Sequence, residues 1–302
     1  MTQDYIKRLC AICQIETSTK KVVEANLDFD KLNAKTFSAR RVPDRLTFQW
    51  VVCNNCGLYI SSPYLAMNFE SMYSNSELNY RNELKNLKIT YRKLLNSVFP
   101  REELGNKSLL DVGAGNGFVL EVAKQMGFGC VKGIEPSANV VDEAEMSIKK
   151  DLKIGFISRD SFDKESFSLI SMFHVLDHLP DPKKTLQDCR KLLQKNGQIV
   201  VAVHNTKSFS CKLLRGRSPI FDIEHTYLFN KITLKRILEE ASFEVEFSSR
   251  YWNRYSLEYF ISLLPLGEFK SRVIERLRDS RLGSASLWLP LGNIYAQARK
   301  VD

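Results

Sequence analysis

Four cysteines stand in two C-x-x-C pairs, Cys10-Ala11-Ile12-Cys13 and Cys53-Asn54-Asn55-Cys56, with Gly57 following the second. That spacing lets each turn point two thiolates at one tetrahedral ion, so Cys10, Cys13, Cys53 and Cys56 read as the ligands of one zinc. Gly57 suits the left-handed residue that such a turn needs. Four thiolates leave no open coordination position, so the metal is expected to be structural. The 39 residues between the pairs exceed the common spacing. A redox role for one pair is the rival, but neither pair opens a helix of a thioredoxin-like unit. Cys130, Cys189 and Cys211 stand apart and read as small core residues.

A second constellation is a turn rich in glycine. The apolar run Leu109-Leu110 leads into Asp111-Val112-Gly113-Ala114-Gly115-Asn116-Gly117, and a helical pattern opens at Phe118. Glycines there let the backbone approach a ligand, and the helix start offers free amides. Glu135 ends the next apolar run, where a carboxylate can take both hydroxyls of a ribose. A nicotinamide cofactor fits less well. The third glycine comes one residue early for G-x-G-x-x-G, and Asp111 would repel a pyrophosphate. S-adenosylmethionine carries an ammonium and a sulfonium and no phosphate, so a carboxylate beside it is favourable.

These residues resemble class I S-adenosylmethionine-dependent methyltransferases. Asp111–Gly117 is similar to their first motif and Gly133-Ile134-Glu135-Pro136-Ser137 to their second. The stretch from Ser166 to Pro182, with His174-Val175-Leu176-Asp177-His178-Leu179-Pro180, is similar to the text around their fourth strand. The resemblance implies that Asp111, Gly113, Ala114, Gly115 and Gly117 hold the methionine end, and Glu135 with Pro136 the ribose. It also places Phe173 against the cofactor and residues near Ser158–Asp160 beside the adenine. The cysteine pairs, with Cys56-Gly57-Leu58-Tyr59 and Pro63, resemble the zinc ribbon of sugar C-methyltransferases, whose further C-terminal domain is not expected here.

The four histidines, His174, His178, His204 and His225, all fall where the carboxyl ends of the fourth and fifth strands and the following loop are expected. Methyl transfer needs alignment of acceptor and donor, and a base where a proton is lost; histidine suits that near neutrality. Ile223-Glu224-His225-Thr226-Tyr227-Leu228-Phe229 is similar to the "E-H-x-x-x-F" region of the same relatives, which faces the acceptor. The expected catalytic set is His225 as base, Glu224 orienting it, Tyr227 nearby and His178 with Asp177. Tyr73 and Tyr80 are placed to close over the site, and Arg215 with Arg217 to clamp a phosphate.

The elements that must carry these residues alternate. Ser108–Val112, Cys130–Ile134, Leu169–Phe173 and Gln198–Val203 read as strands, with a further short one near Ile154–Ile157. Phe118–Met126, a stretch from Ser137 to about Lys150, Asp181–Leu193 and Thr233–Ala241 read as helices. Strand-like Glu244–Ser249 and Asn293–Arg299 follow. The fold class is therefore α/β, a Rossmann-like methyltransferase sheet with helices on both faces, plus a small N-terminal zinc-ribbon module. The expected division is residues 1–65 for the ribbon and 66–104 for a linker helix region. The S-adenosylmethionine-binding domain takes 105–302, with a lid insertion at about 251–291.

The chain has 302 residues and a net charge of +9, with 44% hydrophobic and 26% charged residues, which suits a globular protein. Its N-terminus lacks the apolar stretch of a signal peptide, and no apolar run nears the ~20 residues that span a bilayer, so a cytoplasmic location is expected. The expected partner is a small-molecule acceptor, with a sugar or sugar nucleotide the nearest class. An RNA methyltransferase using ribbon and positive charge is the alternative, against which Phe173-His174-Val175-Leu176 lacks the D/N-P-P-Y/F text of base-amine enzymes. A non-catalytic cofactor-binding zinc scaffold is a third reading, opposed by the intact glycine turn.

Overall fold

The computed structural model describes residues 5–15, 18–28, 45–65, 69–74, 83–99, 101–262, 269–278 and 285–301. Tyr80 lies outside the described residues.

The N-terminal part is built from short strands: β1 (Tyr5–Ile6), β2 (Thr19–Val23), β3 (Trp50–Cys53), β4 (Tyr59–Ser61) and β5 (Tyr64–Leu65). Two helices follow, α1 (Phe69–Ser74) and α2 (Leu84–Val98). The apolar positions Leu87, Tyr91, Leu94, Leu95 and Val98 recur at helical spacing and are all buried along one face of α2.

The alternating part then runs β6 (Ser108–Val112), α3 (Phe118–Met126), β7 (Cys130–Glu135), α4 (Ala138–Asp142), α5 (Met146–Lys149), β8 (Leu152–Ile154), β9 (Phe167–Phe173), α6 (Pro182–Leu192) and β10 (Leu193–His204). After it come α7 (Phe209–Leu214), β11 (Tyr227–Leu228), α8 (Lys231–Glu240), β12 (Phe243–Ser256), α9 (Leu257–Ser262), α10 (Phe269–Arg278) and β13 (Ser286–Lys300). Local signals explain the starts. Asp181 caps α6 through the Lys184 amide with Pro182 in the first turn, and Asn230 and Thr233 close a capping box on α8. The single helix expected from Ser137 to Lys150 is two short ones, because the backbone at Glu145 is extended (ψ 137°).

Seven strands form one sheet in the order β12-β13-β10-β9-β6-β7-β8. β10, β9, β6, β7 and β8 are parallel, and β13 runs antiparallel to both neighbours. The strand order reverses between β6 and β9, and that is where such sheets open a crevice for ligands. Both faces are covered. On one, α2 and α3 bury Tyr91, Leu95, Phe118 and Leu120 against Leu109, Leu169 and Val200. On the other, α6 and α8 share a core with Ile12, Val51, Leu58 and Ile60 of the N-terminal part.

The insertion expected from residue 251 starts later. β12 continues to Ser256 and β13 begins at Ser286, paired Tyr255↔Leu287 and Ser256↔Ser286, so the edge hairpin itself projects past the sheet. Among the described residues no helix is long and apolar enough to cross a membrane.

Candidate active site

The glycine turn sits at the carboxyl end of β6. Gly113, Gly115 and Gly117 have φ of +70°, +56° and +78°, the left-handed region that favours glycine. A methyl group added at Gly113 would lie 2.3 Å from Val175 Cγ2. Gly117 lies away from the crevice. It caps α3, and a methyl there would meet Ile148 Cγ2 of α5 at 2.5 Å and Leu152 of β8 at 3.3 Å, so its task is close packing of α3 on those elements.

Two carboxylates border the turn. Glu135 ends β7, and its oxygens accept from the Gly115 amide at 2.9 Å and the Ser137 amide at 3.1 Å. Burial nevertheless pushes its acidity toward the neutral form. Each oxygen keeps a further lone pair for a ligand hydroxyl. Asp111 is 2% exposed and accepts from Ser171 Oγ at 2.6 Å. Burial raises its pKa to about 7, against the pull of that hydrogen bond. A bound cation would be the natural partner for such a carboxyl.

One cavity of about 760 Å³ joins this turn to the histidines. Asp111, Gly113, Ala114, Gly115, Glu135, Pro136 and Phe173 line it, as do His178, Glu224 and His225. The turn expected beside the adenine, Ser158–Asp160, does not border it; Gly155, Phe156 and Ile157 do. Tyr91 stacks flat on Phe173, centroids 4.5 Å apart at 6°, and forms part of one wall. Tyr255 and Tyr259, from the projecting hairpin and α9, form another. Neither tyrosine was singled out in the sequence, where no spacing ties them to the glycine turn.

All four histidines converge. Ring centroids are 4.6 Å apart for His178 and His225, 5.1 Å for His204 and His225, and 4.7 Å for His174 and His204. His174 turns toward the cluster with φ +57° at the end of β9, and its Nε2 lies 2.7 Å from the Tyr251 hydroxyl. His225 Nδ1 donates to the Ile220 carbonyl at 2.8 Å. Burial holds His225 far below the usual imidazole range and His178 down at about 3, so both rings are neutral. Tyr73 reaches the site as expected: its hydroxyl lies 3.0 Å from His178 Nδ1 and donates to the Glu224 carbonyl at 3.1 Å.

Asp177 sets a carboxylate 3.9 Å from His225 Nε2. Tyr227 does not border the cavity. It lies in β11, which pairs with β4, and its hydroxyl donates to the Leu9 carbonyl at 3.1 Å, in the N-terminal part. Arg215 and Arg217 lie on a short 3-10 turn outside this cavity.

The four ribbon cysteines gather. Cys10 and Cys56 sulfurs are 3.4 Å apart, Cys13 and Cys53 sulfurs 3.9 Å, and all four lie within 4.8 Å of one another. Thiolates about 2.3 Å from one tetrahedral zinc are spaced like this. Both knuckles close as turns, Gln14 N to Cys10 O and Gly57 N to Cys53 O at 2.8 Å each.

Residues 84–247, more than half of the chain, match the family described as a methyltransferase domain. The chain belongs to that family. It carries a methyltransferase domain on the seven-stranded sheet described above. Among curated proteins the chain is similar to the ubiquinone biosynthesis O-methyltransferase of Saccharophagus degradans, 27% identical over 116 residues, 36% of this chain and 49% of that protein. It is also similar to the mitochondrial ubiquinone biosynthesis O-methyltransferase of Candida albicans, 32% identical over 116 residues, 35% of this chain and 36% of that protein. The chain thus spans half or less of the length of these relatives. Solved structures with a similar fold include a SAM-dependent methyltransferase from Archaeoglobus fulgidus, with 19% identity, TM-score 0.49, and coverage of 72% of this chain and 94% of that one. Another is the geranyl diphosphate C-methyltransferase of Streptomyces coelicolor, with 17% identity, TM-score 0.48, and coverage of 73% and 82%.

Proposed function

We propose that this methyltransferase modifies a small polar acceptor, a sugar or sugar nucleotide, at oxygen or carbon, with the proton taken up in the histidine cluster. The observation that carries this is the single cavity bordered at one end by Asp111, Gly113 and Glu135 and at the other by His178 and His225.

The glycine turn fits a cofactor with a cationic end. Its backbone is open where side chains would clash, and the buried Asp111 carboxyl gains a counter-charge. When bound, S-adenosylmethionine supplies an electrophilic methyl on its sulfonium. Asp111, Gly113, Ala114 and Gly115 would hold the methionine end, Glu135 and Pro136 the ribose, and Phe173 the wall between cofactor and acceptor. His225, with Nδ1 tied to Ile220, presents Nε2 as an acceptor for the proton that the substrate loses. His178, tied to Tyr73, is the second such group. Glu224, on the cavity rim, would orient the acceptor.

The four-cysteine cluster would hold a structural zinc within residues 1–65, and residues 105–302 would form the catalytic domain. The zinc's consequence reaches the active site, because β4 of the ribbon pairs with β11, two residues beyond His225.

The test is a screen of nucleotide sugars, free sugars and phenols with radiolabelled S-adenosylmethionine. Labelled sugar nucleotide supports the proposed substrate class. Label in phenols and none in sugars overturns the class while keeping the reaction.

A further inference from the structure

His178 and His225, the two proton acceptors proposed above, also meet the buried carboxyl of Asp177. Asp177 is 0% exposed, and no hydrogen bond of normal geometry reaches either carboxylate oxygen. Its Oδ1 faces His178 Nε2 at 4.0 Å, and its Oδ2 faces His225 Nε2 at 3.9 Å.

The far side of each ring decides where its hydrogen sits. The Ile220 carbonyl can only accept, so His225 Nδ1 carries the hydrogen. With the Tyr73 hydroxyl hydrogen on the Glu224 carbonyl, that oxygen accepts from His178 Nδ1, which is the tautomer taken for His178 below. Both neutral rings therefore turn a bare Nε2 lone pair toward the carboxylate. Three groups with lone pairs to give converge in one buried place.

We propose that Asp177, His178 and His225 hold a divalent transition-metal cation. Two imidazoles and one carboxylate are the ligand set of borderline ions such as zinc or ferrous iron. Ligand atoms about 2.1 Å from one ion lie about 3–4 Å from each other, and the ligand atoms of these three residues lie within 4.8 Å of one another. Ile220 and Tyr73 supply the outer hydrogen bonds that fix ligating rings. His178 and His225 border the cavity, so the ion's remaining positions face the acceptor. The proposal rests on reading that cavity as the acceptor site, and it sharpens one role. With the ion in place His225 would be a ligand; an acceptor hydroxyl on the ion would give its proton to water, and its oxygen would bond the methyl carbon as that carbon's bond to sulfur breaks and the thioether leaves with the electron pair.

The test uses the full-length chain with its cysteines saturated by zinc, titrated with Co2+ and followed by calorimetry and visible absorption. Expected is one Co2+ per chain with bands of nitrogen and oxygen coordination. Asp177→Asn and His178→Gln should each weaken uptake more than about tenfold. Asp177→Asn keeps the main-chain carbonyl that holds Thr226, and circular dichroism confirms the fold; if it fails to fold, His178→Gln decides. No saturable uptake at millimolar Co2+, uptake with thiolate bands only, or uptake unchanged in both variants overturns the proposal. S-adenosylhomocysteine binding is read in the same samples. Its loss with Co2+ uptake intact counts against the cofactor site alone, and the converse counts against the cation alone.

Discussion

Asp111 shows how burial sets the terms for a ligand. Its carboxyl ionises only near pH 7 in the free protein, and a cationic ligand favours the charged form. S-adenosylmethionine should therefore bind more tightly as pH rises through about 7, and the slope should vanish in Asp111→Asn, with affinity down about tenfold or more; calorimetry across pH 6–8 reads both. Gly113→Ala sets a methyl against Val175 at a φ that costs of order 1–3 kcal/mol, and cofactor binding should collapse while the sheet stays folded. His225→Gln should lower kcat by roughly 10²–10⁴ with cofactor affinity kept, measured on whichever acceptor the screen yields. Asp177 gives a stability prediction for the metal-free chain. Its folded pKa lies above the unfolded 3.8, so the folded state binds the extra proton between about pH 4 and 7. Its contribution is present at the acid end and lost as pH rises through about 7. The neutral histidines act in the opposite sense, so the readout is a difference. Asp177→Asn should gain on the unaltered chain by a few kcal/mol as pH rises from about 4 to 7, followed by denaturant midpoints.

At the scale of elements, the loop that carries His225 is held from outside the sheet. Thr226 bonds the Asp177 and Leu179 carbonyls through its hydroxyl and the Asp177 carbonyl through its amide, and its own carbonyl accepts from the Ser61 amide. Removing the proposed zinc should loosen β3 and β4 and, through them, residues 222–229. Hydrogen exchange there should rise and turnover fall, with cofactor binding changed little. Faster exchange confined to residues 5–65 would count against this coupling. Elements with a local signature were legible in the sequence: the glycine turn, the capped α6 and α8, and the apolar strands. What needed coordinates were pairings between distant segments. Tyr227 matched a family spacing, yet its strand partner turns it to Leu9. Asp177 follows His174 closely in sequence, but its place among the rings depends on loops 45 and more residues away, as His225 shows. β12 and β13 run longer than the expected strands, and their extra rungs pair Asn253, Arg254, Tyr255 and Ser256 with Leu289, Trp288, Leu287 and Ser286.

For the whole molecule, the two cores divide the labour. One ties α2 and α3 to the sheet behind the glycine turn, and the other welds the ribbon to α6 and α8 beneath the histidines. The β4–β11 pairing joins Ile60 to Tyr227 across most of the chain, and this has a bearing on synthesis. The ribbon leaves the ribosome long before its partner strand. Until residue 227 emerges, β4 is an uncovered edge, open to pairing with another chain. Closing so long a loop is also slow relative to local contacts. Nascent chains halted before β11 has left the ribosome should therefore aggregate more than chains halted once it has.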